Sequence, residues 1–107
     1  MVKLNVFEES LLRDPDVKFG FDNYEVLKQI GSFVRDMRTQ SAMSQAALED
    51  ASGIGQADIS RYESGSMERG PSLLTLVRLA HAAGKRLVIG IEDEEGENKE
   101  STRVLTL

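Results

Sequence analysis

Gly53 and Gly65, twelve positions apart, punctuate the middle of the chain. Each closes an apolar-periodic stretch of about two turns, too short to hold a helix by itself. Glycine enters the left-handed backbone region without steric cost, so a glycine just past such a stretch marks a helix end. Ser44, a favoured N-cap residue, opens one stretch through Leu48 to about Ser52, with Gly53 in the C′ position. Ile54 then returns to the core. Gln56 to Glu63 form the next helix, with Ile59 and Tyr62 inward at i and i+3, and Gly65 stops it. Leu48, Gly53, Ile54, Ile59 and Tyr62 hold these two helices at a steep angle. That is helix-turn-helix spacing, and it leaves free a face carrying Gln56, Ala57, Ser60 and Arg61.

The flanking segments supply the neighbours such a pair needs. Asp22 or Asn23 caps a preceding helix, in which Val26, Leu27, Ile30, Phe33, Val34 and Met37 share one face. Arg35, Asp36 and Arg38 point elsewhere, and the helix ends near Gln40. After the loop Ser66–Pro71, Ser72 caps a fourth helix. Its Leu73, Leu74, Leu76, Val77, Leu79, Ala80 and Ala83 are apolar nearly all round, which predicts a central helix ended by Gly84. Residues 86–91, Arg-Leu-Val-Ile-Gly-Ile, read as a short strand. A lone strand needs a partner: the alternating Val2–Val6 of its own chain, a two-fold copy, or the sheet of another protein.

The 107 residues fit one small domain. With no Cys and one His there is no disulfide, thiolate metal site or Cys nucleophile, and a triad has a single candidate base, His81. His81 is expected to be partly buried and structural, and Met37, Met43 and Met67 to be core filler. No nucleophile–base pair or metal cluster emerges, so neither an enzyme nor a cofactor is expected. No apolar run reaches the ~18–20 residues of a membrane span, and the acidic start lacks a signal-peptide pattern, which points to the cytoplasm.

A net charge of −5 counts at first against nucleic acid. The acidity is segregated, however. Residues 1–22 carry five acids and three bases, residues 23–85 seven of each, and residues 86–107 six acids and three bases. The central unit is therefore neutral and the ends are acidic. Residues 1–22 are also rich in apolar side chains: Leu4, Val6, Phe7, Leu11, Leu12, Phe19 and Phe21. They either pack back on the domain or dock into a partner protein. Asp14-Pro15 is expected to break any helix there. The chain thus divides into an N-terminal partner-binding or packing segment (1–22), a helix-turn-helix domain (23–85), a dimerisation or pairing strand (86–91) and an acidic flexible tail (92–107).

The stretch Ser44-Gln45-xx-Leu48-xxxx-Gly53-Ile54-xxxx-Ile59-Ser60-Arg61-Tyr62-Glu63-xx-Gly65, followed by Pro71-Ser72-Leu73-xx-Leu76, resembles the Xre/Cro-type phage-repressor domain over about residues 28–84. The flanks, Asp14-Pro15-Asp16-Val17 and Arg86-Leu87-Val88-Ile89, resemble HigA-type antitoxins that neutralise RelE/HigB-type ribonuclease toxins. The resemblance implies a mainly α fold: a phage-repressor-like bundle of four to five helices with one short C-terminal β-strand. It implies a homodimer on double-stranded operator DNA, repressing its own operon, with a small basic toxin as partner. Gln45 would meet a phosphate, Gln56 and Ala57 base edges, Ser60 and Arg61 bases or phosphates, and Arg69 the backbone beyond the third helix. A stand-alone repressor without a toxin, or an interaction module that has lost DNA binding, are the alternatives.

Two positions depart from the family pattern. A small residue, commonly Ala, is usual at the position of Glu49, where the helices cross closely. This carboxylate must bend outward or find a partner. Ser or Thr is usual at the position of Gly55, as N-cap and phosphate donor; glycine still caps, without the hydroxyl.

Overall fold

The computed structural model describes residues 13, 15, 18, 23–66, 69–94 and 103–107. Among these residues, four complete helices and a two-stranded sheet follow in order: α1 (Tyr24–Gln40), α2 (Gln45–Ser52), α3 (Gln56–Ser64), α4 (Leu73–Ala82), β1 (Val88–Ile91) and β2 (Arg103–Thr106). The chain is mainly helical, as expected. The seven apolar residues Leu4 to Phe21, Met67 and the acidic stretch 95–100 lie outside the described residues. Arg13 lies in a turn and Pro15 and Lys18 carry helical backbone; a helix that has the proline in its first turn is compatible with the break expected at Asp14-Pro15, and Asp14 itself lies outside the described residues.

The helix ends follow from local chemistry. The Ser44 hydroxyl accepts from the Ala47 N–H at 3.0 Å and that of Ser72 from the Thr75 N–H at 3.1 Å, each satisfying an orphan donor. Gly53 and Gly65 close α2 and α3 at φ 77° and 69°.

Val34 and Met37 of α1, Leu48 of α2, Ile54 in the turn, Ile59 of α3, Leu79 and Ala80 of α4, and Leu87 form one core. Helix α1 packs on α3, and α2 is wedged between α3 and α4. Burying Leu48, Ile59, Leu79 and Val34 fully contributes roughly 1.5–3 kcal/mol for each side chain.

The buried stripe of α1 is rotated from the one that hydrophobic periodicity predicts. Val26 and Phe33 are each 49% exposed, whereas Gly31 is buried. The cause is the close approach of α3. A Cβ on Gly31 would lie 2.5 Å from the Tyr62 carbonyl oxygen and 2.7 Å from that of Glu63, both backbone atoms. The stripe therefore centres on the one residue with no side chain. Gly31→Ala should improve intrinsic helix propensity by about 1 kcal/mol yet destabilise the protein by about 1–3 kcal/mol through overpacking. Urea melts read the sign, and a stabilised variant would contradict the close approach.

Helix α4 is less central than its composition predicts. Leu79 and Ala80 are fully buried, but Leu73 is 48% and Leu74 71% exposed. With Val77 and Leu107 these two line an open apolar hollow. The packing of α1 and α2 covers the second half of α4 and leaves its first turn to solvent.

The strand has a partner that the sequence did not suggest. It spans Val88–Ile91 and pairs antiparallel with Arg103–Thr106, Val88 opposite Thr106 and Ile91 opposite Arg103. Two strands, not one, form the C-terminal sheet, and residues 103–106 are ordered where a flexible tail is expected. The Leu107 N–H donates to the Leu87 carbonyl at 2.7 Å, and Leu107 packs on the core. His81 is exposed, not partly buried, with Nε2 2.8 Å from the Leu107 main-chain oxygen. It ties α4 to the end of the hairpin.

Candidate nucleic-acid interface

Helix α3 is anchored by one face and open on the other. Ile59 is fully buried, Tyr62 half-buried and Glu63 buried, while Gln56, Ala57, Ser60 and Arg61 are all exposed. The exposed set recurs at i, i+1, i+4 and i+5, one face of two successive turns. It combines an amide that can bond adenine bidentately, a methyl, a hydroxyl and a guanidinium, which is chemistry suited to base edges and phosphates in a major groove. Arg61 reaches Asp58 at 3.3 Å, an exposed i, i+3 pair that costs little to break.

The anchoring face hides a charge. The Glu63 side chain is only 1% exposed. Arg38 grips it with two bonds, Nε to Oε2 at 2.7 Å and Nη2 to Oε1 at 2.9 Å. The third guanidinium nitrogen, Nη1, donates to the Met43 carbonyl at 2.9 Å. Arg35 stands 3.6 Å away, and the Gln45 amide donates weakly over 3.4 Å. Burial by itself would raise the Glu63 carboxyl. The hydrogen bonds from Arg38 and Gln45 and the charges of Arg38 and Arg35 outweigh it, and hold the group below the usual carboxylate range. The bond to Glu63 likewise raises the Arg38 guanidinium. One buried carboxylate thus fastens the end of α3 to α1, to the α1–α2 turn and to the first residue of α2.

This network gives one residue a role and moves another. Arg38 points away from the apolar stripe of α1, as expected, and is the main clamp. Gln45 is half-buried with its amide turned toward Glu63, so phosphate contact would require it to leave that bond or share it. Gly55 and Arg69 are exposed, Gly55 at the head of α3 and Arg69 in the loop beyond it. The structure therefore brings Gly55, Gln56, Ala57, Ser60 and Arg61 together on one surface and sets Gln45 behind it.

Glu49 finds a partner within the protein. From the crossing of α2 and α3 its Oε2 accepts the backbone N–H of Gln56, the first residue of α3. Gly55, the N-cap, supplies no side-chain cap. The carboxylate of the preceding helix satisfies a neighbouring orphan donor, one residue or two before those an N-cap hydroxyl would reach, and its charge suits the positive end of the α3 dipole. The pairing was not apparent in the sequence because Glu49 and Gln56 lie on different helices. Arg78 completes the support, its Nη2 donating at 2.8 Å to the Ser52 carbonyl at the end of α2.

Among the described residues no three His, Asp or Glu side chains are grouped to hold a metal ion, and no helix is long and apolar enough to cross a membrane. The helix-turn-helix family model matches residues 34–89, from the middle of α1 into β1. No curated protein and no solved structure matches the chain.

Proposed function

We infer function from one premise: this chain belongs to the helix-turn-helix family of DNA-binding transcriptional regulators. On that premise we propose that it is a sequence-specific repressor of its own operon and the antitoxin of a RelE/HigB-type ribonuclease toxin. The observation that carries the DNA half is the joint exposure of Gln56, Ala57, Ser60 and Arg61 on a helix locked from behind. Placed in a major groove, α3 would read bases with Gln56 and Ala57 and bases or phosphates with Ser60 and Arg61, while Gly55 and Arg69 approach the backbone.

A homodimer would set two such helices about one helical turn apart, roughly 34 Å. Apolar side chains available to a second copy are Val88, Ile91, Val104 and Leu105 of the hairpin, all more than half exposed. The toxin half is supported by the charge segregation, since acidic flanks suit a small basic protein, and by the apolar residues Leu4, Val6, Phe7, Leu11, Leu12, Phe19 and Phe21 near the N-terminus.

The test is a pull-down from the native host, with mass spectrometry of bound protein and sequencing of bound DNA. The expected yield is the chain's own promoter together with a small basic protein. Deleting residues 1–22 should release that protein and spare promoter binding. Promoter recovered without any basic partner would leave a stand-alone regulator.

A further inference from the structure

The head of the recognition helix carries a resident anion. Glu49 reaches across from α2 and bonds the Gln56 N–H. The N-cap, a glycine, offers no side-chain acceptor there. A helix N-terminus with free N–H groups attracts phosphate. Here the position is already taken by a carboxylate, beside the exposed Gln56 that is to read bases. The surrounding unit is also electrically neutral, seven acids against seven bases in residues 23–85, so one anion at the interface weighs heavily on phosphate attraction.

We propose that Glu49 is a specificity-determining residue of the DNA interface. Its carboxylate holds the N-terminus of α3 and fixes Gln56, and its charge repels the DNA backbone. Duplex of arbitrary sequence, which offers only phosphate attraction, is then bound poorly. Tight binding waits for the base contacts of Gln56 and Arg61. The inference rests on the DNA-binding reading above and adds a source of discrimination to it.

The two roles of Glu49 separate by substitution. Glu49→Gln keeps a carbonyl oxygen to accept from the Gln56 N–H but removes the charge. Glu49→Ala removes both. Gly55→Ser restores a cap by a different route; a Cβ at Gly55 meets nothing within 4 Å, and its φ of −58° suits any residue.

Glu49→Gln should melt slightly below the native chain, because the amide keeps the bond but forgoes the carboxylate's interaction with the helix dipole, and above Glu49→Ala. It should bind random-sequence duplex roughly tenfold tighter at low salt, as expected for one charge removed a few ångströms from phosphate. Its salt dependence should steepen by about one unit of slope, and its preference for promoter over random duplex should fall. Glu49→Ala should melt lower and exchange the Gln56 amide faster, and adding Gly55→Ser should recover the melting temperature. Unchanged random-duplex affinity and salt slope in Glu49→Gln would overturn the proposal. So would an unchanged Gln56 exchange rate in Glu49→Ala. If neither the native chain nor Glu49→Gln binds any duplex at low salt, the DNA-binding reading falls and takes this one with it.

Discussion

Replacing Gln56 and Arg61 together with alanine is expected to abolish operator binding while leaving the fold intact. Both side chains stand on the open face of α3 and neither enters the core. Among the described residues, the only side-chain tie either makes to the protein is the exposed 3.3 Å pair of Arg61 with Asp58. Such i, i+3 pairs contribute about 0.2–0.5 kcal/mol, so the melting temperature should hardly move. On DNA the effect is of another order. A bidentate contact to a base is worth about 1–3 kcal/mol of discrimination, and two lost contacts amount to about a hundredfold or more in affinity at 1.4 kcal/mol per tenfold. The combination of a native melt and lost promoter binding is what separates a recognition face from an ordinary solvated helix surface. Retained sequence-specific affinity would sink the assignment.

The second large effect is on stability. Arg38→Ala should destabilise the domain by about 3–5 kcal/mol, because it leaves the Glu63 charge buried without its clamp. Small domains have only about 5–15 kcal/mol in all, so the variant should sit near the edge of unfolding. Removing the pair as a whole is different. In Arg38→Met/Glu63→Leu no buried charge remains, and the penalty should largely vanish.

The pH dependence follows from the same bond. The folded Glu63 carboxyl lies below its ordinary value of 4.5. The unfolded chain therefore takes up its proton first as pH falls. The stability from this group is complete above about 4.5 and is lost as pH drops through the lowered folded value. Urea melts of the native chain near neutral pH and at about pH 3.5 should show that loss, and the double variant should lack this part of it. Equal acid sensitivity in both would show that Glu63 is not the titrating anchor.

What the sequence made legible was local. Ser44 and Ser72 cap as serines before apolar runs should, and Gly53 and Gly65 take the left-handed backbone that their positions demand. Ile59 and the face opposite it follow from helical period within one short segment. What escaped was set by contacts between segments. Arg38 and Glu63 are 25 positions apart, and nothing in either neighbourhood marks them as partners. Gly31 reads as a minor flaw in a helix until the carbonyls of Tyr62 and Glu63 arrive against it. The strand Arg103–Thr106 is four residues long, follows an acidic run and keeps its side chains exposed, so hydrophobic pattern does not announce it. Glu49 could be recognised as out of place in a phage-repressor-like pattern. Its role as a cap needed the crossing geometry of α2 and α3.

The function stands or falls on one titration. The native chain and Gln56→Ala/Arg61→Ala are each titrated onto the duplex of the chain's own promoter and onto a scrambled duplex of equal length, at low and at physiological salt. The native chain should prefer the promoter at both salt concentrations, and the variant, with an unchanged melt, should bind both duplexes equally weakly. Equal promoter binding by the two proteins, or no preference by the native chain at either salt, would contradict α3 as a reader of DNA sequence.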